Sequence, residues 1–452
     1  MSWIKWLCPG LNLKRWLLLF AIGVIFAATG TALVFNYQFI GFIEELLFKL
    51  MYMATGEYYH AISVAGGISV LVIGMFIMFY ATRKLIHSVM ESVLPDNNTS
   101  LMERIFTQRK LTKGPAITVV GGGTGLSVLL RGMKYITNNC TAVVTVADDG
   151  GSSGRLRQEL GILPPGDLRN CLVALADTEP LMEKVMQYRF KGETPLAGHN
   201  LGNLFIAAMA AVEGSMEAGL IATSEILKVR GNVLPSTLED IQLTAEMADG
   251  TVVVGESDIT AAGKKIQRLK ILPQAARATK GALTAIAKAD VLIFGPGSLY
   301  TSILPNLVVP ELKAAIINSK AVKIYVCNVM TQPGETTGYG ALEHVQAIIS
   351  HVGVQFLDYV IVNDQKISEA QLEQYRAKGS APVTPDVELI EQLGIKVVAT
   401  KLIKDMDLVR HNPTLLAQAI ISLIYRLRLF GRGVQFFDYF FVRESMRKLK
   451  KQ

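Results

Sequence analysis

Two adjacent carboxylates, Asp148 and Asp149, end an apolar run and precede a loop of glycines and serines. Arg155 and Arg157 follow within the same segment, "VVTVADDGGSSGRLR". Carboxylates accept hydrogen bonds from ligand hydroxyls or hold Mg²⁺ beside phosphate oxygens, and guanidinium groups pair with phosphates. The pattern predicts a site for a phosphorylated, hydroxyl-rich ligand. The structural alternative is that one aspartate caps a helix and the other is solvated.

A glycine-rich segment, "VVGGGTGLS", lies between a predicted strand and a predicted helix and contains Gly121, Gly122, Gly123 and Gly125. Glycine permits positive φ, and it lets backbone N–H groups approach an anion at a helix N-terminus. The dinucleotide-binding fingerprint needs a glycine where Leu126 stands, and no P-loop Gly-Lys-Ser/Thr follows. The loop therefore predicts phosphate binding without either signature, with a plain turn as the alternative.

Further polar loops follow later apolar runs. "FGPGSLYTS" predicts a second anion-binding turn, and "PPGDLRN", "GHNLGNLF" and "CNVMTQPGET" add acid, amide, imidazole and guanidinium groups. The candidate ligand-binding residues on these loops are Gly122, Gly123, Thr124, Gly125, Asp148, Asp149, Ser152, Ser153, Arg155, Asp167, Arg169, Asn170, His199, Asn200, Asn203, Gly295, Gly297, Ser298, Tyr300, Thr301, Asn328 and Thr331. Asp148 and Asp149 are also the candidate Mg²⁺ ligands, and they are the candidate catalytic residues if the protein is a transferase.

The elements that position these loops alternate between short apolar runs and segments of helical period. This alternation predicts an α/β fold, a Rossmann-like doubly wound and mostly parallel sheet covered on both faces. The carboxyl ends of parallel strands share one sheet edge, so the loops are expected to meet there. Residues 225–272 are rich in β-forming residues, with "ADGT" as a hairpin turn, and predict a small antiparallel insertion.

Two uncharged stretches in the first hundred residues, 16–43 and 61–82, are each long enough to cross a bilayer as a helix. They predict a transmembrane hairpin within residues 1–85, with spans at about 16–38 and 61–82 and a short acidic loop between them; a cleaved signal peptide is the alternative for the first stretch. Basic residues flank the hairpin on both outer sides, so both termini and the main domain are expected in the cytoplasm of a bacterial cell, at its membrane. A linker (86–114), a ligand-binding domain (115–425) and an aromatic, basic tail (426–452), a candidate membrane-surface segment, complete the predicted organisation.

Composition narrows the function classes. The chain has 452 residues, 50% of them hydrophobic, and a net charge of +7. This charge suits an anionic lipid surface, and no zinc-finger, helix-turn-helix or RNA-binding signature is present, which disfavours nucleic acid. Four cysteines without paired spacing are typical of a reducing cytosol.

The motif blocks "VVGGGTGLSVLLRGMK", "VVTVADDGGSSGRLR", "GDLRN", "GHNLGNL", "GPGSLYTSILPNL", "CNVMTQPGET" and "RHN" occur in an order that resembles the gluconeogenesis factor (YvcK-like) family, which is related to CofD, the 2-phospho-L-lactate transferase. The resemblance covers about residues 115–425. It implies binding of UDP-sugars, notably UDP-N-acetylglucosamine, and a role in cell shape and cell-wall precursor supply during gluconeogenic growth. It also implies that Tyr375 and Arg410 contact the nucleotide, by stacking and by pairing with the diphosphate.

The sequence thus predicts a membrane-anchored UDP-sugar-binding regulator rather than a turnover enzyme. The alternative is a CofD-like, metal-dependent phosphotransferase that acts on a nucleotide-activated 2-phospho acid. A nicotinamide-dependent dehydrogenase is disfavoured by the glycine spacing. Enzymes of cell-wall precursor synthesis are the expected protein partners, and a homodimer is a further expectation.

Overall fold

The computed structural model describes residues 24, 28, 38–56, 69, 72–76, 78–80, 82–83, 111–112, 114–177, 180–403 and 409–427. The chain divides into two compact units, residues 1–108 and 109–452. The helices are α1 (Gln38–Thr55), α2 (Gly123–Met133), α3 (Gly151–Leu160), α4 (Gly166–Leu175), α5 (Pro180–Gln187), α6 (Leu201–Glu213), α7 (Met216–Ile226), α8 (Glu256–Ala261), α9 (Lys280–Lys288), α10 (Leu304–Leu307), α11 (Pro310–Asn318), α12 (Ala341–Val352), α13 (Glu369–Arg376), α14 (Val387–Glu391) and α15 (Pro413–Arg426).

The strands form two sheets in the second unit. The strands are β1 (Ile117–Gly121), β2 (Cys140–Val144), β3 (Asn232–Pro235), β4 (Gln242–Met247), β5 (Val252–Val254), β6 (Ile266–Leu272), β7 (Val291–Phe294), β8 (Val322–Val326), β9 (Tyr359–Asn363) and β10 (Lys396–Thr400). Seven of them form one sheet in the order β10-β9-β8-β7-β1-β2-β3, and all neighbours in it are parallel. The predicted α/β fold with a parallel sheet is confirmed.

Strands β1 and β7 lie side by side in the interior of the sheet. Every residue of both strands is buried, as expected for strands of a parallel sheet that is covered on both faces. The chain runs from β1 outward to β2 and β3, returns to β7 on the other side of β1, and then continues outward to β10. The strand order therefore reverses between β1 and β7, and a crevice opens at such a point at the carboxyl ends of the strands.

The three-stranded sheet, in the order β5-β4-β6, is antiparallel. Its β4–β5 hairpin turns at "ADGT", where Thr251 O accepts from Met247 N–H at 2.8 Å. The sheet begins later than the sequence predicts, because residues 232–235 form β3 of the main sheet, paired with β2. Composition alone does not show that β3 belongs to the main sheet and β4 to the small one, since β-branched residues suit both a short edge strand and an insertion.

The first unit contains α1, which occupies the place of the predicted connecting loop. The exposed apolar side chains of α1 include Phe42, Leu46, Leu50 and Met53. Most of the two predicted spans, 16–38 and 61–82, lies outside the described residues, as do 86–110 of the predicted linker and 428–452 of the predicted tail. Among the described residues, no single helix has both the length and the hydropathy to cross a bilayer. The pair α6 and α7, bent by 118°, passes that test jointly.

The last described helix, α15, matches the helical period of "PTLLAQAIISLIYR". Asn412 caps it, because Asn412 Oδ1 accepts from Thr414 N–H and Leu415 N–H, both at 3.1 Å. The helix packs against α2 so closely that a Cβ on Gly132 would lie 2.5 Å from Pro413 O. Helix α2 begins in the glycine loop, and its C-terminal part is held in place by this contact with α15.

The contact between the loops after β1 and β7 can be tested with Gly125→Ala. A Cβ on Gly125 would lie 2.6 Å from Pro296 O and 2.9 Å from Gly297 Cα. Both are backbone atoms, so the substitution is expected to lower the free energy of unfolding by about 1–3 kcal/mol. Gly121→Ala is the matched control, since its Cβ would meet nothing nearer than Leu126 Cδ1 at 3.5 Å. Urea denaturation of the full chain, followed by circular dichroism, that ranks the two variants as equally stable would contradict this packing.

Candidate functional site

The two glycine loops meet at the crevice between β1 and β7. A Cβ on Gly297 would lie 3.1 Å from Gly122 O, and one on Gly123 would lie 3.3 Å from Ser302 Oγ. Gly123 starts α2 with φ +67°, and Gly295 has φ +75°; both values favour glycine. The backbones of the two loops therefore lie close together beside the N-terminus of α2, and a helix N-terminus suits an anion. Thr124, in the first turn of α2, is exposed there.

Asp167, in the first turn of α4, faces the first glycine loop. A Cβ on Gly122 would lie 2.5 Å from Asp167 Oδ2, and Gly123 N–H donates to the Asp167 carboxylate. Burial raises the pKa of Asp167 to about 6, with Asp148 adding to the rise and Arg169 opposing it. The sequence singled out Asp167, and the structure brings it to the crevice.

The two aspartates after β2 contact different parts of the protein. Asp148 Oδ1 accepts from Gly150 N–H at 3.0 Å, and Ser153 donates to the same carboxylate. Burial is the main cause that raises the pKa of Asp148. Asp149 binds the start of α8, since its oxygens accept from Glu256 N–H at 2.7 Å and from Ser257 N–H at 3.0 Å. Asp149 thus caps α8, as the structural alternative expected of one aspartate, whereas Asp148 is half-buried rather than solvated.

A buried polar cluster joins the starts of α3 and α6. Ser152 Oγ accepts from Asn200 N–H at 3.1 Å and from Asn203 Nδ2 at 3.2 Å, and it lies 3.3 Å from His199 Nδ1. Ser153 Oγ accepts from Asn203 Nδ2 at 3.4 Å. Asn200 also caps α6, since its Oδ1 accepts from Asn203 N–H at 3.2 Å. The predicted polar residues of two distant motifs therefore bind each other.

Arg169 connects this polar cluster to the acids. Its Nη1 donates to Asn203 Oδ1 at 2.6 Å and its Nη2 to Asn170 Oδ1 at 2.8 Å. Burial lowers the pKa of Arg169 to about 10, and Asp167 and Asp148 partly offset this by attraction. The side chain is 9% exposed, and its Nε has no hydrogen-bond partner. Asn203 and Asn170 thus hold a cation beside the carboxylates.

Arg155 and Arg157 on α3 hold neighbouring loops. Arg155 Nη2 donates to Ala197 O at 2.7 Å, and Arg157 Nη2 donates to Ile241 O at 2.6 Å. Arg157 also pairs with Asp240 at 2.5 Å. These contacts fix the segments before α6 and before β4 around the end of β2.

The loop after β7 is organised by Glu335, which the sequence noted only as a polar neighbour. Glu335 accepts a short hydrogen bond from Ser298 Oγ and one from Thr301 Oγ1 at 3.3 Å. Burial raises the pKa of Glu335, and these hydroxyl donors oppose the rise. Tyr300 points away into the core, where its hydroxyl lies 3.0 Å from that of Tyr339. Ser298 and Thr301 border the crevice, whereas the Tyr300 ring does not.

Asn328 and Thr331, after β8, brace neighbouring backbone. Asn328 Nδ2 donates to Gly297 O at 2.8 Å, and Gly297 N–H donates to Asn328 Oδ1 at 3.3 Å. Thr331 Oγ1 accepts from Ala381 N–H at 2.9 Å. Asn328 therefore sets the position of the second glycine loop.

Tyr375 and Arg410 lie at the β8 side of this edge. Tyr375 Oη accepts from Val409 N–H at 2.9 Å, and Arg410, the next residue, is exposed. His411 Nε2 lies 3.1 Å from Cys327 O, directly before Asn328. The contacts from Gly297 through Asn328 and His411 link Arg410 to the glycine loop. The hydrogen bonds of Tyr375 and His411 join neither Tyr375 nor Arg410 to the carboxyl groups around Asp167.

Glu256, at the start of α8, was missed by the sequence analysis. Burial raises the pKa of Glu256 to about 9, with further rises from Asp148, Asp167 and Asp149, while a hydrogen bond with Thr301 opposes them. Its carboxyl group therefore lies between the β2 loop and the β7 loop. No local signal marks it, since "VGESDIT" belongs to the antiparallel insertion.

The predicted Mg²⁺ ligands, Asp148 and Asp149, accept hydrogen bonds from groups of the protein itself. Among the residues that the structure describes, no group of three or more His, Cys, Asp and Glu side chains is arranged to hold a metal ion. Hydrogen-bond donors from α8, Gly150 and Ser153 already occupy the carboxylates of Asp148 and Asp149. The metal site stays a prediction.

The proton on Glu256 predicts a pH-dependent stability. Between its ordinary value of 4.5 and about 9, the folded chain holds this proton and the unfolded chain releases it. The free energy of unfolding then falls as pH rises through this window, by up to about 1.4 kcal/mol per pH unit from this group. Glu256→Gln removes the contribution, so its stability relative to the natural chain should increase from pH 5 to pH 9.

Urea denaturation at several pH values measures this difference. The control Glu225→Gln removes one carboxylate from an exposed position on α7. Equal pH dependence of the two variants would show that Glu256 is not a protonated, buried acid.

The family match found by comparison with known proteins lies within the second unit. The family described as 2-phospho-L-lactate transferase CofD matches residues 117–403. The gluconeogenesis factor of Bacillus subtilis is 46% identical over 69% of this chain and 98% of its own. A relative from Clostridium acetobutylicum is 41% identical over 100% of this chain and 99% of its own. A crystal structure of a UPF0052-family member from Bacillus halodurans is 49% identical, has a TM-score of 0.66, and covers 68% of this chain and 99% of that chain.

The family match over residues 117–403 spans both glycine loops, the aspartate pair and the polar cluster around Ser152. The full-length match to the Clostridium relative shows that the segment before residue 109 also occurs in another member. The chain therefore belongs to the gluconeogenesis factor family and carries its CofD domain.

Proposed function

We propose that this protein binds a UDP-sugar, with UDP-N-acetylglucosamine as the first candidate, in the crevice between β1 and β7. The observation that carries the proposal is the direct packing of two glycine loops, from Gly122–Gly125 and Gly295–Ser298, beside buried acids and a buried arginine. Backbone N–H groups at a helix N-terminus suit a diphosphate. Carboxylates held nearby suit the hydroxyls of ribose and sugar.

The polar groups take different parts in this proposal. Asp148 and Asp167 accept from ligand hydroxyls, while Arg169 offsets the negative charge. Asn200 and Asn203 act indirectly, because both side-chain amides already have partners in the protein. The Asn203 amide contacts Ser152 and Arg169, and the Asn200 amide donates to Gln187 O and accepts from Asn203 N–H. They position the start of α3 and the guanidinium group rather than contact the ligand.

Tyr375 and Arg410 bind the nucleotide end of the ligand in this proposal. The exposed guanidinium of Arg410 can pair with a diphosphate oxygen, and the Tyr375 ring offers a face to the uracil. Tyr375 Oη makes two hydrogen bonds with the Val409 backbone, at 2.9 and 3.4 Å. Because Arg410 follows Val409 in the chain, these bonds keep Tyr375 close to Arg410. A ligand that reaches from the glycine loops to Arg410 follows the edge of the sheet along β7 and β8.

The protein acts as a membrane-anchored regulator in this proposal. The uncharged stretches 16–43 and 61–82 anchor it, both termini face the cytoplasm, and the bound ligand reports on cell-wall precursor supply during gluconeogenic growth. The exposed apolar side chains of the described residues 72–76, such as Ile73 and Phe76, support an environment of lipid. Concentration at the membrane places it beside enzymes that make lipid-linked precursors and influences cell shape.

A transferase is the second candidate, and the match to the CofD family model favours it. In that case a phosphorylated group passes from a nucleotide carrier to an acceptor, and a nucleoside monophosphate leaves. The raised pKa of Asp167, to about 6, suits a group that removes the acceptor proton near neutral pH. Release of a nucleoside monophosphate from a panel of activated donors would favour this candidate, and binding without release would exclude it.

Calorimetry with UDP-N-acetylglucosamine and the full chain tests ligand binding. The natural protein is expected to bind, and Arg410→Ala is expected to weaken binding about 10- to 100-fold through loss of a charged hydrogen bond. Arg426→Ala, an exposed arginine at the end of α15, is the matched control and should bind as the natural chain does. The proposal fails if the natural protein binds no UDP-sugar.

Membrane anchoring predicts how the protein fractionates from cells. A chain with two spans should stay with the membrane pellet in 1 M salt and at alkaline pH, and only detergent should release it. A protein held only by surface charge should be released by this salt, because electrostatic attraction is then screened within about 3 Å. A variant that begins at residue 109 should appear in the soluble fraction, since unit 109–452 has its own core. Release of the full chain by salt would contradict anchoring.

A further inference from the structure

Helix α6 carries an apolar stripe opposite its buried residues. The residues of this stripe are spaced three or four positions apart, as on one face of a helix, and they are Leu201, Leu204, Ala208, Ala211 and Val212. Ala208, Ala211 and Val212 are exposed, and the exposed fraction of Val212 reaches 76%. The helix contains no charged side chain before its last residue, Glu213. These five residues are called the α6 stripe below.

The helices that pack against α6 add further exposed apolar side chains. Helix α7 packs on α6 so closely that a Cβ on Gly219 would lie 2.6 Å from Ala210 Cα, and its Ile221 is 59% exposed. Helix α5 also contacts α6, and its Leu181 is 71% exposed. Apolar side chains exposed together on adjacent helices are typical of a surface that binds another protein.

The N-terminal end of the α6 stripe is basic. Arg189 lies beside it, because Arg189 Nη1 donates to Gly198 O at 2.6 Å and Arg189 forms an isolated β-bridge with Asn200, the N-cap of α6. Lys191 is exposed in the same segment. Glu193 is also exposed there, so the segment keeps a net positive charge.

The C-terminal end of the α6 stripe is acidic. Glu213 ends α6 and Glu217 lies in the first turn of α7, and both are exposed. The helix dipole has the same sense, with its positive end at the N-terminus. A second α6 that runs antiparallel to the first therefore brings each basic end to an acidic end. Two-fold symmetry produces this pairing, because the same surface of both copies then meets itself.

A lipid bilayer suits this surface less well than a second copy of the chain. Helices α6 and α7 jointly have the length and hydropathy of a bent span. However, Glu213, Glu217 and Glu225 are all exposed on this pair of helices. Carboxylates are costly inside hydrocarbon, and anionic headgroups repel them.

We propose that the α6 stripe is the interface of a homodimer, in which α6 packs antiparallel on α6 of the partner subunit about a two-fold axis near Ala208. The small side chain of Ala208 lets the two helices approach closely at the axis. Leu204 then faces Val212 of the partner subunit, since both lie four positions from Ala208. On its buried side, the same helix holds Arg169 through Asn203, so the dimer fixes a helix that positions this guanidinium group.

Cysteine cross-linking of the full chain in cell membranes tests the geometry. In a Cys8→Ser background the remaining cysteines, Cys140, Cys171 and Cys327, are buried. Ala208→Cys should then form a disulfide-linked dimer under mild oxidation with copper phenanthroline. Ala314→Cys, at an exposed alanine of α11, is the matched control and should stay monomeric.

A double variant tests the antiparallel direction. Leu204→Cys/Val212→Cys should form cross-linked dimers, whereas either single variant should not. In a single variant the two equivalent cysteines are separated by eight positions, about 12 Å along the helix, which exceeds the reach of a disulfide. If Leu204→Cys alone cross-links as efficiently as the double variant, the antiparallel arrangement is overturned.

Sedimentation of the full chain in detergent micelles measures the Kd of the dimer. Val212→Glu places a carboxylate in the α6 stripe and should raise this Kd about 100-fold or more. Val354→Glu, at an exposed valine outside the stripe, is the matched control and should leave the Kd unchanged. Circular dichroism verifies that both variants are folded.

The interface is overturned if the natural chain is monomeric at micromolar concentration, if Val212→Glu leaves the Kd unchanged, or if Ala208→Cys cross-links no more than Ala314→Cys. These measurements use no ligand. The interface and the proposed binding of a UDP-sugar can therefore fail separately.

Discussion

The site depends on the contact between the backbones of two loops at the point where the sheet reverses its strand order. Gly125 meets Pro296 and Gly297 at distances that leave no room for a side chain. This contact brings the loops at the carboxyl ends of β1 and β7 together into one surface. The core helices behind it are rigid, because α2 packs on α15 through Gly132 without a side chain between them. Interiors packed this closely transmit strain rather than absorb it, so the surface formed by the two loops has a fixed shape.

A second constraint is electrostatic. Beyond the effect of burial, Asp148 raises the pKa of Asp167, and both raise the pKa of Glu256, because like charges in a poorly solvated place are unfavourable. Three features of the structure reduce this repulsion between carboxylates. N–H and hydroxyl groups donate to the carboxylates of Asp148 and Asp149, Arg169 supplies one cation, and Glu256 keeps its proton at neutral pH. The result is a crevice whose net charge is much less negative than its four carboxyl groups suggest, which is a requirement for any ligand that carries phosphate.

Much of this arrangement was predictable, because parallel strands bring all their carboxyl ends to one edge. The glycine loops, Asp148 and Asp167 each follow an apolar run or open a helix directly after one, so their meeting follows from the fold class. Other roles depend on tertiary contacts that no local pattern encodes. Tyr300 was expected to face a ligand, but the π-helical turn at Leu299–Ile303 directs its ring into the core. Asp149 looked equivalent to Asp148 and instead caps α8. Glu256 contacts Asp149 across 107 positions of sequence, from a segment that resembles an ordinary β-hairpin.

The position of Glu256 nevertheless follows from topology. Strand β3 ends at the carboxyl edge, and the chain must pass from there to the amino end of β7, beyond β2 and β1. The segment that makes this passage contains β4, β5, α8 and β6, and it begins at the edge where the crevice opens. A crossover that starts on this edge and returns across the sheet passes above β1 and β7, so its residues are the natural cover of the crevice. Changes in the insertion can therefore alter what the crevice accepts while the seven parallel strands and their glycine loops remain the same. The side chains that cover the crevice then come from the crossover, whereas the two glycine loops that meet in it come from the ends of sheet strands β1 and β7.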